Sequence, residues 1–276
     1  MQPTRAEINA YLAEDIGSGD LTANIIPAAT QAVATVMTRE SMVLCGQAWF
    51  DAVFQQLSPD VAIEWQTLES EYAQAQTILC IVKGPARALL TGERTALNLL
   101  QTLSATATKA RQYADAVAGT GCKVLDTRKT IPGLRLAQKY AVKCGGCFNH
   151  RIGLFDAILI KENHIMAAGS IAQAVAEARQ NSRASIEVEV ENLDEFKQAM
   201  AVCPDRIMLD NFSNAETGEA VALSRKRVEL EASGNITLEN IRSVAETGVD
   251  YISIGALTKN LTAIDLTMRI ELLMNR

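Results

Sequence analysis

Gly121 to Val142 reads GCKVLDTRKTIPGLRLAQKYAV. A short apolar strand, Cys122 to Leu125, runs into the polar Asp126-Thr127-Arg128-Lys129-Thr130; Pro132-Gly133 turns the chain, and Leu134 to Val142 has the apolar spacing of a helix. This strand, loop and helix unit then recurs. Further strands fall at Ala157 to Ile160, Ile186 to Val190, Arg206 to Leu209, Val228 to Leu230 and Tyr251 to Ile254. Helical spacing separates most of them, at Ile171 to Arg179, Leu193 to Ala201, Ala215 to Leu223 and Leu238 to Glu246. Such alternation predicts parallel strands joined by crossover helices. Six units fall short of a standard eightfold barrel, so the reading is an incomplete α/β barrel of six to seven strands, with an open doubly wound sheet as the competing arrangement.

Outside this segment the rhythm differs. Val61 to Gln66 alternates apolar and polar residues, Thr77 to Val82 is a second strand ended by Gly84-Pro85, and Ala32 to Thr38 is a third. Ala86 to Ala118, rich in Ala, Leu and Thr at helical spacing, predicts one long helix or two joined. At the other end Ile264, Leu266, Met268, Ile270 and Leu272 alternate with Asp265, Thr267, Arg269 and Glu271, the period of a strand. It does not continue the barrel pattern and is expected to pair with the amino-terminal sheet. The expected organisation is therefore an open-faced α/β sandwich domain from 1–110 and 262–276, and a barrel domain, 111–261, that carries the active site.

With 276 residues, 48% of them apolar, the chain is long enough to bury a full core. A net charge of −6 argues against a broad basic face for nucleic acid. No apolar run approaches the ~20 residues of a membrane span, and the amino terminus lacks a secretory pattern. Six scattered cysteines fit reduced thiols in the cytoplasm, the expected location. Cys144-Gly-Gly-Cys147 is a weak signal for metal or redox chemistry because no second pair accompanies it.

Charge is sorted along the chain. From Lys123 to His164 eight Lys and Arg stand against three acids, a local net of +5 that leaves the remainder at −11. A run of mostly polar residues follows the barrel strands: Asp126, Arg128 and Lys129, then Lys161, Glu189 and Glu191, Asp210 and Asn211, Glu231 with Ser233 to Asn235, and Gly255. One polar strand end is ordinary; six in succession mark the carboxyl edge of a barrel, where catalytic groups converge. Arg128 and Arg151, with His150 beside them, suit a small anionic substrate, and the carboxylates opposite suit a divalent cation. Lys161 ends a buried strand and taken alone fits a Schiff-base aldolase, but the neighbouring guanidinium and imidazole groups fit carboxylate binding better. Glu187, Glu189 and Glu191 share one side of their strand, with Glu187, nearest its start, read as structural.

These strings resemble one family: LDTRKT (125–130), YAVKCGG (140–146), NHRIGL (149–154), LIKENHI (159–165), EVEVEN (187–192), MLDNF (208–212), ASGN (232–235) and GVDYISIGALT (248–258). EDIG (14–17), GDLT (19–22) and GERTALN (92–98) extend the likeness over nearly the whole chain. They are similar to quinolinate phosphoribosyltransferase, also called nicotinate-nucleotide pyrophosphorylase (carboxylating). The resemblance implies conversion of quinolinate and phosphoribosyl pyrophosphate, with magnesium, to nicotinate mononucleotide, pyrophosphate and carbon dioxide in NAD biosynthesis. It implies a homodimer acting on small molecules, with neither nucleic acid nor membrane as partner. By this analogy Arg128, His150, Arg151 and Lys161 hold the quinolinate carboxylates, and Arg94 reaches in from the second subunit. Lys129 contacts phosphates and Arg135 supports the cationic wall. Glu189 and Asp210 engage the ribose hydroxyls and Mg2+, directly or through water. Ser233, Gly234, Asn235, Gly255 and Ala256 take the 5′-phosphate. Two positions depart from the pattern, Cys147 and Ala105 standing where glycine is common; a positive φ at Cys147 would strain the turn before His150.

Overall fold

A computed structural model describes residues 1–273. Two compact units emerge, one from Met1–Ala110, Lys143–Gly145 and the stretch from Leu261, the other from Arg111–Val142 and Gly146–Asn260.

The first unit opens on helix α1 (Arg5–Ile16), where the Thr4 hydroxyl accepts from the Glu7 N–H and the Glu7 carboxylate accepts from the Thr4 N–H, a reciprocal cap. Strand β1 (Gln31–Thr38) buries every second residue, Ala32, Ala34, Val36 and Thr38. After the short β2 (Met42–Val43), helix α2 (Gln47–Leu57) buries Trp49, Phe50, Val53 and Phe54 along one face. Strands β3 (Ala62–Trp65), β4 (Tyr72–Ala73) and β5 (Ile78–Pro85) follow, then the 31-residue α3 (Ala86–Ala116).

The second unit repeats strand and helix: β6 (Lys123–Leu125), α4 (Arg135–Cys144), β7 (Ile158–Ile160), α5 (Glu162–Ala168), α6 (Ile171–Asn181), β8 (Ile186–Val190), α7 (Leu193–Val202), β9 (Arg206–Asp210), α8 (Asn214–Ser224), β10 (Glu229–Ser233), α9 (Ile241–Ala245), β11 (Tyr251–Ser253) and α10 (Ala256–Lys259). All six strands are parallel, in the order β6-β11-β10-β9-β8-β7. Successive strands are neighbours from β7 to β11, and the first strand lies beside the last. This is the cyclic order of a barrel opened between β6 and β7; a doubly wound sheet would instead reverse direction at an internal switch point. At the open edge Phe148 bridges Leu125 in parallel, its N–H donating to the Val124 carbonyl at 2.8 Å and its own carbonyl accepting from the Asp126 N–H at 3.0 Å. The segment leading into Asn149-His150-Arg151 thus runs beside β6 where a further strand would stand. Helices such as α7 turn Phe196, Ala199 and Met200 inward at i, i+3 and i+4.

The chain then returns to the first unit. Strand β12 (Leu266–Leu273) pairs antiparallel with β1 from Thr38↔Leu266 to Gln31↔Leu273, completing the sheet order β12-β1-β5-β3. Only Met268 of β12 is buried, and Leu272 and Leu273 stay exposed, so the alternation at the tail is less buried than its pattern implies. The strain expected at Cys147 does not arise: Gly146 takes the positive φ, 94°, and Cys147 is buried with its N–H on the Val142 carbonyl at 3.1 Å.

Candidate active site

The carboxyl ends of the parallel strands surround a cavity of about 470 Å³. Arg128 and Lys129 reach it from beyond β6, His150 and Arg151 from the bridging loop, Lys161 after β7, Glu189 from β8, Asp210 from β9, Ser233 from β10 and Ser253 from β11. Most of the residues singled out by spacing therefore converge. Arg94 lies on α3 in the first unit, exposed and 4.0 Å from Glu93. Glu191 falls beyond the end of β8, exposed, its N–H held by the Glu195 carboxylate at 2.9 Å.

The cationic wall is anchored by an ion pair in which the strand-end Asp126 meets a partner, Lys139, that spacing did not single out. Asp126, at the end of β6, and Lys139, on α4, are both buried, with Nζ 2.5 Å from Oδ1. The same carboxylate accepts the His150 N–H at 2.9 Å and the Asn149 amide at 2.6 Å, while Lys139 Nζ also donates to the His150 carbonyl at 3.0 Å. Burial pushes the Asp126 carboxyl up; the ammonium and the two N–H donors oppose that rise. Asp126 thus ties the turn carrying His150 and Arg151 to the end of β6, from which the chain leads to Arg128. Arg135 adds a second tie, its guanidinium donating to Thr130 Oγ1 at 3.0 Å and to the Ile152 carbonyl at 3.3 Å.

Beneath this wall the His150 ring is nearly enclosed. Its Nδ1 accepts the Arg151 N–H at 2.7 Å, so the proton of the neutral ring sits on Nε2, 2.9 Å from a Glu187 oxygen and 3.5 Å from Glu231, off the line of a good hydrogen bond to either. Burial holds the imidazole below its ordinary value. Arg206 lies between the two carboxyls on β9, donating to Glu231 at 3.0 Å. The Glu231 side chain is wholly buried, and burial with the neighbouring Glu187 pushes it up to about 7. Arg206 is not conspicuous in sequence, whereas Glu231 stands among the polar strand-end residues and shares parity, and therefore a face, with Ser233.

The remaining rim is set by backbone geometry. Asn211 donates to Asp210 at 2.8 Å and accepts from the Asn235 amide at 3.1 Å, linking the ends of β9 and β10. Gly234 has φ 94°, and a Cβ there would lie 2.1 Å from Asn211 Oδ1, so only glycine fits. A Cβ on Gly255 would lie 3.0 Å from Lys129 Cδ; the Lys129 side chain rests on that glycine, and its carbonyl accepts from Thr258 Oγ1 at 2.8 Å. Lys161 Nζ is paired with Glu189. Arg151 is held below the usual guanidinium value by burial and then by the like charge of Arg128, which lines the same cavity.

Two guanidinium groups lining one cavity with carboxylates at the mouth of an α/β barrel define an enzyme for small polyanionic substrates. Known proteins narrow the class. The family model for the quinolinate phosphoribosyl transferase C-terminal domain matches residues 106–269, and that for its N-terminal domain matches residues 20–104. The chain belongs to the quinolinate phosphoribosyltransferase family. It is 42% identical over 268 residues to a probable nicotinate-nucleotide pyrophosphorylase (carboxylating) of Synechocystis sp., covering 95% of this chain and 91% of that one. A Bacillus subtilis protein of the same name is 39% identical, covering 96% and 92%. The solved nicotinate-nucleotide pyrophosphorylase of Francisella tularensis superposes with a TM-score of 0.94 at 47% identity, covering 98% of each chain.

Proposed function

We propose that this protein converts quinolinate and phosphoribosyl pyrophosphate to nicotinate mononucleotide, pyrophosphate and carbon dioxide, the step that makes the pyridine nucleotide in de novo NAD biosynthesis. The observation that carries the reading is the convergence of Arg128, Arg151 and Lys161 with Glu189 and Asp210 on one cavity. Arg128, Arg151 and Lys161 take the two quinolinate carboxylates above the His150 ring, Lys161 exchanging Glu189 for substrate. Glu189 and Asp210 then face the ribose, while Lys129 and the turns at Ser233 to Asn235 and Gly255-Ala256 face phosphate.

The pyridine nitrogen displaces pyrophosphate at the ribose carbon through an oxocarbenium-like centre. Carboxylates beside that centre and cations beside the leaving group both stabilise the charge that develops, and the guanidinium groups of Arg128 and Arg151, holding the carboxylates, orient the nitrogen in line. The carbon–carboxylate bond next to the nitrogen then breaks, its electron pair passing to the ring, where the cationic nitrogen accommodates it, and a solvent proton replaces carbon dioxide. The two carboxylates are hard oxygen donors on adjacent strands, a set that fits Mg2+ shared with substrate phosphates. Glu189 and Asp210 would hold that ion, and it would neutralise charge on the departing pyrophosphate.

The active assembly is a homodimer in which the exposed Arg94 of a second copy completes the carboxylate site. No helix among the described residues is long and apolar enough to cross a membrane, and the cysteines there form no disulfide, in keeping with a cytoplasmic reaction. A product assay with phosphoribosyl pyrophosphate and either quinolinate or nicotinate tests the assignment. Nicotinate mononucleotide with equimolar carbon dioxide is expected from quinolinate; faster turnover of nicotinate would overturn it.

A further inference from the structure

Spacing pairs Cys144 with Cys147, but the fold pairs it with Cys45. In the first unit Cys45 Sγ, Cys144 Sγ and a Glu69 carboxylate oxygen all lie within 4.8 Å of one another. Cys45 is fully buried, whereas Cys144 and Glu69 are half-buried. Their supports are fixed. The Cys45 N–H donates to Ser104 Oγ at 3.0 Å, and that hydroxyl donates back to the Cys45 carbonyl at 3.1 Å. Glu69 accepts the Gly46 and Gln47 N–H groups at 3.0 and 3.2 Å where α2 begins, one on each oxygen, which leaves a lone pair on each.

We propose that Cys45, Cys144 and Glu69 form a binding site for a thiophilic divalent cation such as Zn2+, with the fourth position open to water on the half-exposed side of Cys144. Two thiolates and a carboxylate are donors that zinc accepts. Tetrahedral zinc, with zinc–sulfur bonds of ~2.3 Å and zinc–oxygen bonds of ~2.0–2.2 Å, needs a donor spacing that three atoms already within 4.8 Å of one another reach by small side-chain shifts. Without a cation the Cys45 thiol keeps its proton: a hydrogen bond with the Cys144 thiol, burial and the Glu69 charge all push it well up. A bound cation stabilises the thiolate forms, takes the place of that hydrogen bond and releases the thiol protons. The N–H groups at the start of α2 offset part of the remaining negative charge. This site is separate from Glu189 and Asp210, which offer oxygen alone.

The full-length protein, reduced and stripped with a chelator, is titrated with Zn2+ against a chromophoric competitor and, separately, with Co2+. One equivalent of Zn2+ per chain and a thiolate-to-Co2+ charge-transfer band are expected; oxygen ligands at the catalytic cavity cannot produce that band. Cys144→Ser, a nearly isosteric change at a half-exposed position, and Glu69→Gln should each weaken Zn2+ by at least ~10-fold, the lower end of what disturbing a metal site costs. Cys203→Ser, at an exposed position in the second unit, should leave affinity unchanged. The melting temperature of the parent protein should rise with Zn2+, and that of Cys144→Ser should not. Absence of the band in the parent protein, or its persistence in Cys144→Ser, would overturn the site.

Discussion

Replacing Lys139 with Met tests whether the buried Asp126–Lys139 pair holds the cationic wall. Met keeps much of the length of the lysine stem and removes the ammonium, so the Asp126 carboxylate, fully buried, retains only the Asn149 amide and the His150 N–H as partners. Breaking one side of a buried pair costs about 3–5 kcal/mol, because the remaining charge stays out of water without its counterion. At about 2–4 °C per kcal/mol for a chain of this size class, the melting midpoint should fall by roughly 6–20 °C. Adding Asp126→Asn should restore at least ~1 kcal/mol, since the uncompensated charge disappears and the two positions are in direct contact. Because the same carboxylate fixes the His150 backbone, the KM for quinolinate should rise in Lys139→Met even well below its midpoint. Thermal and urea unfolding give the stability, and initial rates at varied quinolinate give the KM. A midpoint lowered by less than ~2 °C, together with an unchanged KM, would refute the clamp.

Three further outcomes follow from the same geometry. Arg128→Ala should lose at least ~2 kcal/mol in kcat/KM for quinolinate, about 30-fold, with circular dichroism unchanged; near-parental kinetics would remove Arg128 from the site. Glu231 is raised in the folded state from 4.5 to about 7, so the fold binds more protons than the unfolded chain in that window; this carboxyl's contribution is complete below 4.5 and declines as pH rises through about 7. His150, held low by burial, acts in the opposite direction, so the measurement is the difference between parent and Glu231→Gln in urea midpoint across pH; that difference should shift against the parent as pH rises, and a flat difference sinks the idea. Mixing Arg94→Ala with Lys161→Ala should restore activity that neither has alone, because one site of the mixed dimer is then intact; proven heterodimers without rescue would exclude a shared site.

The βα rhythm after Gly121 was legible because strand and helix periodicities are local properties, and parallel strands in series leave few topologies open. The site residues were legible for a related reason: parallel strands bring their carboxyl ends together whatever their separation in the chain, so Arg128, Lys161, Glu189 and Asp210 could be chosen by position alone. Helix α1 gave no such signal, because only Ile8 and Leu12 are buried along its twelve residues. Nor could the sequence show that Asp126 is a clamp and not a ligand, that His150 lies between Glu187 and Glu231, or that Cys144 faces Cys45 and not its neighbour in the CxxC string. Each of these depends on which side chains packing brings together from different elements, and on whether burial then leaves a charge paired or exposed. Periodicity determined the elements and the edge on which the chemistry stands; only the tertiary structure decided which polar groups point into the cavity and which are spent holding its walls.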